Sequence, residues 1–78
     1  MINAIEEIKR LSMVEGAYGN QYRARVVQSQ GQYFIALMVY KDGHFKRQIL
    51  IEADIAPEVV NALKRASYWA QRVLRRDD

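Results

Sequence analysis

The sequence predicts an α+β domain of order α-β-β-β-α, and three observations carry that prediction. Residues 22–52 hold three runs rich in β-branched and aromatic side chains: Tyr22 to Gln28, Gln32 to Lys41 and Phe45 to Glu52. The last two flank Asp42-Gly43, a pair favoured in two-residue hairpins because both central positions of a type I′ turn need positive φ. Downstream, apolar residues recur at helical spacing from Val59 to Leu74.

Each element has its own signal. At the start, Asn3 followed by Glu6 reads as a capping box. Ile5, Ile8 and Leu11 then recur at intervals of three, and Gly16 is a candidate helix stop, so a first helix is expected near residues 3–14. AYGN (17–20) is a connector and SQGQ (29–32) a turn. The three strands form an antiparallel meander with Tyr33 to Tyr40 in its centre, a run that is apolar or aromatic throughout. In the final helix Asp54 is the expected cap, and Pro57 suits a first turn, where amides lack intrahelical partners. Val59, Leu63, Ala66, Ala70, Val73 and Leu74 make one apolar stripe with Trp69 at its edge. No linker or repeat divides the chain, so residues 1–78 are expected to form one domain.

Period-two alternation divides the meander into two faces. Tyr22, Ala24, Val26, Ile35, Leu37, Val39, Ile49 and Ile51 share one, the expected seat of the long helix. Arg23, Arg25, Phe34, Ala36, Met38, Tyr40, Lys46, Gln48 and Leu50 share the other. Leaving Phe34, Met38 and Tyr40 in water is costly, since burying one such side chain is worth about 1.5–3 kcal/mol. Three covers are open for that face: the first helix, a second subunit, or a ligand.

Charge narrows the class of ligand. Twelve basic and nine acidic residues leave a net +3. The excess is concentrated: residues 21–47 carry Arg23, Arg25, Lys41, Lys46 and Arg47 against Asp42 alone. A basic sheet interleaved with aromatics fits single-stranded nucleic acid, with bases stacking on rings and phosphates meeting cations. Phe34 and Tyr40 are the expected stacking residues, and Arg23, Arg25, Lys41, Lys46 and Arg47 the expected phosphate contacts. A second candidate surface lies on the polar side of the final helix: Lys64, Arg65, Tyr68, Arg72, Arg75 and Arg76.

Catalytic signatures are missing. The single histidine, His44, borders a hairpin turn, and there is no cysteine for a thiolate nucleophile, a zinc site or a disulfide. Ser12, Ser29 and Ser67 lack a nucleophile context, and the four glycines spell no phosphate loop. The expectation is a non-enzymatic protein with neither cofactor nor metal. MINAIEEIKR is unlike a signal peptide, and no apolar run approaches the roughly 20 residues of a membrane helix, so a cytoplasmic location without membrane contact is expected. A chain this short buries only about 60% of its unfolded surface, which favours a homodimer.

The segment GQYFIALMVYKDGHFKRQILIEADIAPEVVNALKRA (31–66) resembles the strand–turn–strand–helix half of the Pur-alpha repeat and the single-stranded-DNA-binding transcriptional coactivator fold. The carriers are Tyr33-Phe34, the Asp42-Gly43 turn, the basic Lys46-Arg47 strand and the long final helix. The resemblance implies a curved antiparallel sheet set against single strands, with pairing through helices. Those families build on four strands, whereas this sequence reads as three with a helix in place of the first. The α-β-β-β-α order also matches the double-stranded-RNA-binding domain, but the lysine cluster that opens that family's last helix is replaced here by APEVVNALKR. The leading expectation is therefore a small nucleic-acid-binding protein. The alternative is a protein-binding regulator or inhibitor, such as a small phage-type protein that blocks a host complex, using the same arginine- and tyrosine-rich surface.

Overall fold

The computed structural model describes residues 4–75. It shows one antiparallel sheet followed by one helix: β1 (Glu6–Arg10), β2 (Val14–Glu15), a 3-10 turn (Ala17–Gly19), β3 (Asn20–Ser29), β4 (Gln32–Lys41), β5 (His44–Glu52) and α1 (Ala56–Leu74). The strands lie in the order β1-β3-β4-β5, and β2 also pairs with β3.

Two expectations are overturned. The sheet has five strands rather than three, and the expected first helix is β1 and β2 within the described residues. Its proposed cap, Asn3, lies outside them. The physical reason is legible in the register. Glu7 faces Val27 and Lys9 faces Val26, so Ile8 is the extra residue of a bulge. A bulge breaks period two, and the three-residue spacing of Ile5, Ile8 and Leu11 imitates a helical stripe. Pairing with β3 supplies the backbone partners, down to the bond from the Leu11 amide to the Ala24 carbonyl at 3.0 Å. Gly16 ends no helix; it sits at φ −105° and precedes the 3-10 turn.

The rest of the sheet follows local signals. Gln30-Gly31 and Asp42-Gly43 both turn with two consecutive positive φ values (53° and 77°; 51° and 83°), which is what a tight two-residue hairpin requires. β3 and β4 pair in unbroken register from Asn20–Lys41 to Ser29–Gln32. β4 and β5 pair from Phe34–Glu52 to Val39–Arg47; then Lys46 is skipped, so that Tyr40 faces Phe45. Helix α1 starts from Ile55 without a side-chain cap, so Asp54 does not serve as one, and Pro57 sits in the first turn.

Directly opposed residues share a face, which defines two surfaces. The arginine face carries Arg23, Arg25 and Val27 from β3, Phe34, Ala36, Met38 and Tyr40 from β4, and Phe45, Gln48 and Leu50 from β5. The aliphatic face carries Tyr22, Ala24, Val26, Ile35, Leu37, Val39, Arg47, Ile49 and Ile51. The core lies on the arginine face: Val27, Ala36 and Met38 are buried, with Phe34 and Tyr40 packed against them. The long helix does not cover the aliphatic face as expected. Residues 60–75 are all exposed, and the molecule extends 56 × 30 × 19 Å.

Candidate functional site

The centre of the arginine face is Ala36, whose small methyl side chain is fully buried between larger neighbours. Opposite it stands Arg25, and two residues along the same strand Arg23 stands opposite Met38. Val27 and Ala36 lose all solvent contact within a cluster with Met38, against which Phe34 and Tyr40 pack.

The two arginines differ in their partners. Arg25 donates from Nη1 to Glu7 Oε1 at 2.9 Å and from Nη2 to Gln48 Oε1 at 3.5 Å. Glu7 also accepts from Arg10 Nε at 3.2 Å, so one carboxylate sits between two guanidinium groups. The Arg25 hydrogen bond, followed by the contacts with Arg10, holds the Glu7 carboxyl below its ordinary range. The Nε atoms of Arg23 and Arg25 are buried without a hydrogen-bond partner. A buried N–H left unpaired costs about 1–3 kcal/mol, so both arginines are positioned at a cost to the isolated chain.

Aromatic rings bracket the pair. Phe34 faces Val27 at one end of β4. At the other end Tyr40 meets Phe45 edge to face, with centroids 5.9 Å apart and planes at 72°. The skipped residue Lys46 brings these two rings onto one face; strict alternation would have placed Phe45 on the aliphatic side. Lys46 itself is exposed at the bulge.

Of the seven sheet residues proposed as contacts, Arg23, Arg25, Phe34 and Tyr40 share one face, and Lys41, Lys46 and Arg47 do not join them. Arg47 faces Val39 and belongs to the aliphatic face. Lys41 faces His44 at the hairpin end and donates from Nζ to the Tyr18 carbonyl oxygen. Of the second candidate surface, Lys64, Arg65, Tyr68, Arg72 and Arg75 are exposed along α1, and Arg76 lies outside the described residues. There Arg72 donates to the Tyr68 hydroxyl at 2.9 Å and lies over the Tyr68 and Trp69 rings at 5.5 and 5.4 Å.

The sequence places Gln48 on the arginine face but does not point to Glu7, Phe45 or Tyr18. A helical reading of residues 3–14 hides Glu7, and only the β1–β3 pairing carries it to Arg25. Tyr18 is 87% exposed at φ 59°, a conformation uncommon for a side-chain-bearing residue. Its turn is locked to the β4–β5 hairpin: the Asp42 amide donates to the Gly19 carbonyl at 2.9 Å, and the Gly43 amide to Gln21 Oε1 at 2.9 Å. A Cβ on Gly19 would come within 2.0 Å of Asp42 Oδ1, so only glycine fits there.

No family model, curated protein or solved structure matches the chain. The chemistry of the site therefore has to be argued from its own groups. Among the described residues there is no cluster of three or more metal-ligating side chains, and no helix is long and apolar enough to cross a membrane. A shallow pocket of about 230 Å³ opens where β4 meets the β5–α1 junction, lined by Gln32, Tyr33, Phe34, Glu52, Ala53 and Asp54. Its two carboxyl groups, Glu52 and Asp54, oppose an anion there.

Proposed function

We propose that the chain is a small non-enzymatic protein that binds single-stranded nucleic acid across its arginine face, as a homodimer. The observation that carries this reading is the pair Arg23 and Arg25, with buried unpartnered Nε atoms, set between the Phe34 ring and the Tyr40–Phe45 pair. Guanidinium groups set between the half-buried Phe34 and Tyr40 rings and the exposed Phe45 ring suit a chain that alternates phosphates with stacking bases. A duplex presents no free base faces to such a surface.

The test is binding of labelled single-stranded oligonucleotides over a range of salt. Two neutralised phosphates, at Arg23 and Arg25, give an expected log–log slope of about −1.4. Absent or salt-independent binding would sink the reading.

One observation favours the alternative of a protein-binding regulator. Tyr68, Trp69 and Arg72 form an exposed cluster on α1, and these residue types dominate protein–protein hot spots. A partner retained from host lysate after nuclease treatment, and lost with Trp69→Ala, would support that alternative.

A further inference from the structure

We infer that two copies of the chain exchange helices, each α1 lying on the aliphatic sheet face of the other copy. This pairing does not depend on what the arginine face binds.

One chain carries two apolar surfaces, and neither is covered. On the sheet, none of Ile35, Leu37, Val39, Ile49 and Ile51 is fully buried, and Ile49 keeps 49% of its surface exposed. On the helix, Leu63 is 61% and Val73 59% exposed. The helix does not reach its own sheet because the junction directs it away. Only Ala53 to Ile55 separate β5 from α1, and they are pinned by bonds from the Ala53 amide to Tyr33 O (3.0 Å) and the Ile55 amide to Glu52 O (3.2 Å).

The molecule's dimensions say how large the missing contact is. Its accessible surface is 6544 Å², against about 4,900 Å² for a compact monomer of this mass. The excess exceeds the ~800 Å² that each partner gives up in a standard interface. Its radius of gyration is 15.2 Å, against about 11.5 Å for a compact chain of this length. Both excesses are those of half an assembly.

The geometry selects the exchanged arrangement. A 19-residue helix is about 28 Å long, and a 10-residue strand about 33 Å, so α1 spans the sheet along its strands. Ala66 and Ala70 at the middle of the stripe leave room for the upright side chains of Leu37 and Ile49. Pairing helix with helix alone would leave both sheet faces in water. Pairing β5 edge to edge is opposed by its bulge and by Lys46 and Arg47, features that protect strand edges from added strands.

The chain lacks cysteine, so single-cysteine variants report contacts cleanly. Sedimentation equilibrium of the wild type should give twice the 9.1 kDa chain mass; a monomer at micromolar concentration would overturn the inference. Mixing Ile49→Cys and Leu63→Cys chains with a short bismaleimide should yield mainly the mixed covalent dimer. Faster coupling of Leu63→Cys to itself would overturn the exchange in favour of helix pairing. Leu63→Asp should convert the dimer to a monomer that keeps its strand signal in circular dichroism, because Leu63 makes no part of the intrachain core; a Leu63→Asp chain that stays dimeric would also overturn the inference.

Discussion

On the arginine face Val27 and Ala36 have no contact with water, while on the aliphatic face Ile49 keeps half of its surface exposed, although both faces belong to one sheet without a second layer. Part of the difference is strand position: Val27 and Ala36 lie on the inner strands β3 and β4, whereas Ile49 lies on the edge strand β5, where Leu50 of the arginine face is itself 41% exposed. The rest lies in the neighbours: Val27, Ala36 and Met38 cluster together with Phe34 and Tyr40 packed against them. Val26, Ile35, Val39, Ile49 and Ile51 are branched at Cβ and stiff, and they stand up from the pleat. Upright side chains need an opposing layer. A surface rich in hydrophobic residues is therefore the unfinished one here, and the surface with the charges holds the core.

Charged substitutions on the two faces should separate these roles most strongly. Val27→Asp places an unpaired carboxylate at a fully buried position. The cost, about 3–5 kcal/mol, is comparable with the whole stability of a small domain, so the cooperative urea transition should disappear. Ile49→Asp should leave the strand signal in circular dichroism intact and abolish the dimer in sedimentation. If Ile49→Asp unfolds a chain that is monomeric throughout, the aliphatic face is a self-sufficient core and the comparison fails.

Ligand binding should divide the faces in a second way. Removing two charge-assisted contacts costs about 3 kcal/mol, so Arg23→Ala with Arg25→Ala should weaken oligonucleotide binding about a hundredfold in anisotropy titrations. Arg47→Ala, on the opposite face, should bind as the wild type does. Equal losses from the two variants would place the nucleic acid around the sheet edge rather than on one face.

How far the sequence foretells this arrangement depends on how local each signal is. β3, β4 and β5 announce themselves through alternation and through Gln30-Gly31 and Asp42-Gly43, whose backbone demands are met within four residues. The stripe from Val59 to Val73 marks α1 in the same local way. β1 and β2 do not announce themselves, because their pairing with β3 is non-local and the bulge at Ile8 gives Ile5, Ile8 and Leu11 a helix-like spacing. The bulge at Lys46 is equally silent: it moves Phe45 toward Tyr40 and leaves Arg47 beside Val39. Four of the seven expected contact residues on the sheet share a face because β3 and β4 pair without interruption, and the three that do not are all at or beyond the irregular end of β4–β5. Alternation sorts the residues of β3 and β4 between the two faces and misplaces Phe45 and Lys46 at the bulge, yet it cannot say which face closes on itself, since that depends on how the side chains of neighbouring strands pack.

Glu7 provides the smallest and most discriminating contrast. Its carboxylate engages Arg25 and Arg10. A strand bound to the arginine face as proposed would therefore compete with it. Glu7→Gln keeps the shape and removes the charge, and it should tighten oligonucleotide binding about two- to fivefold, the scale of one exposed ion pair. The same change should cost a little stability, and the pH dependence fixes its sign. The folded-state pKa of Glu7 is lowered, so its stabilising contribution is present above the ordinary carboxylate range and is lost as pH falls through the folded value. Urea midpoints of wild type and Glu7→Gln should differ at neutral pH and converge in acid. Weaker binding by Glu7→Gln at neutral pH would mean that Glu7 positions Arg25 for the strand rather than competing with it.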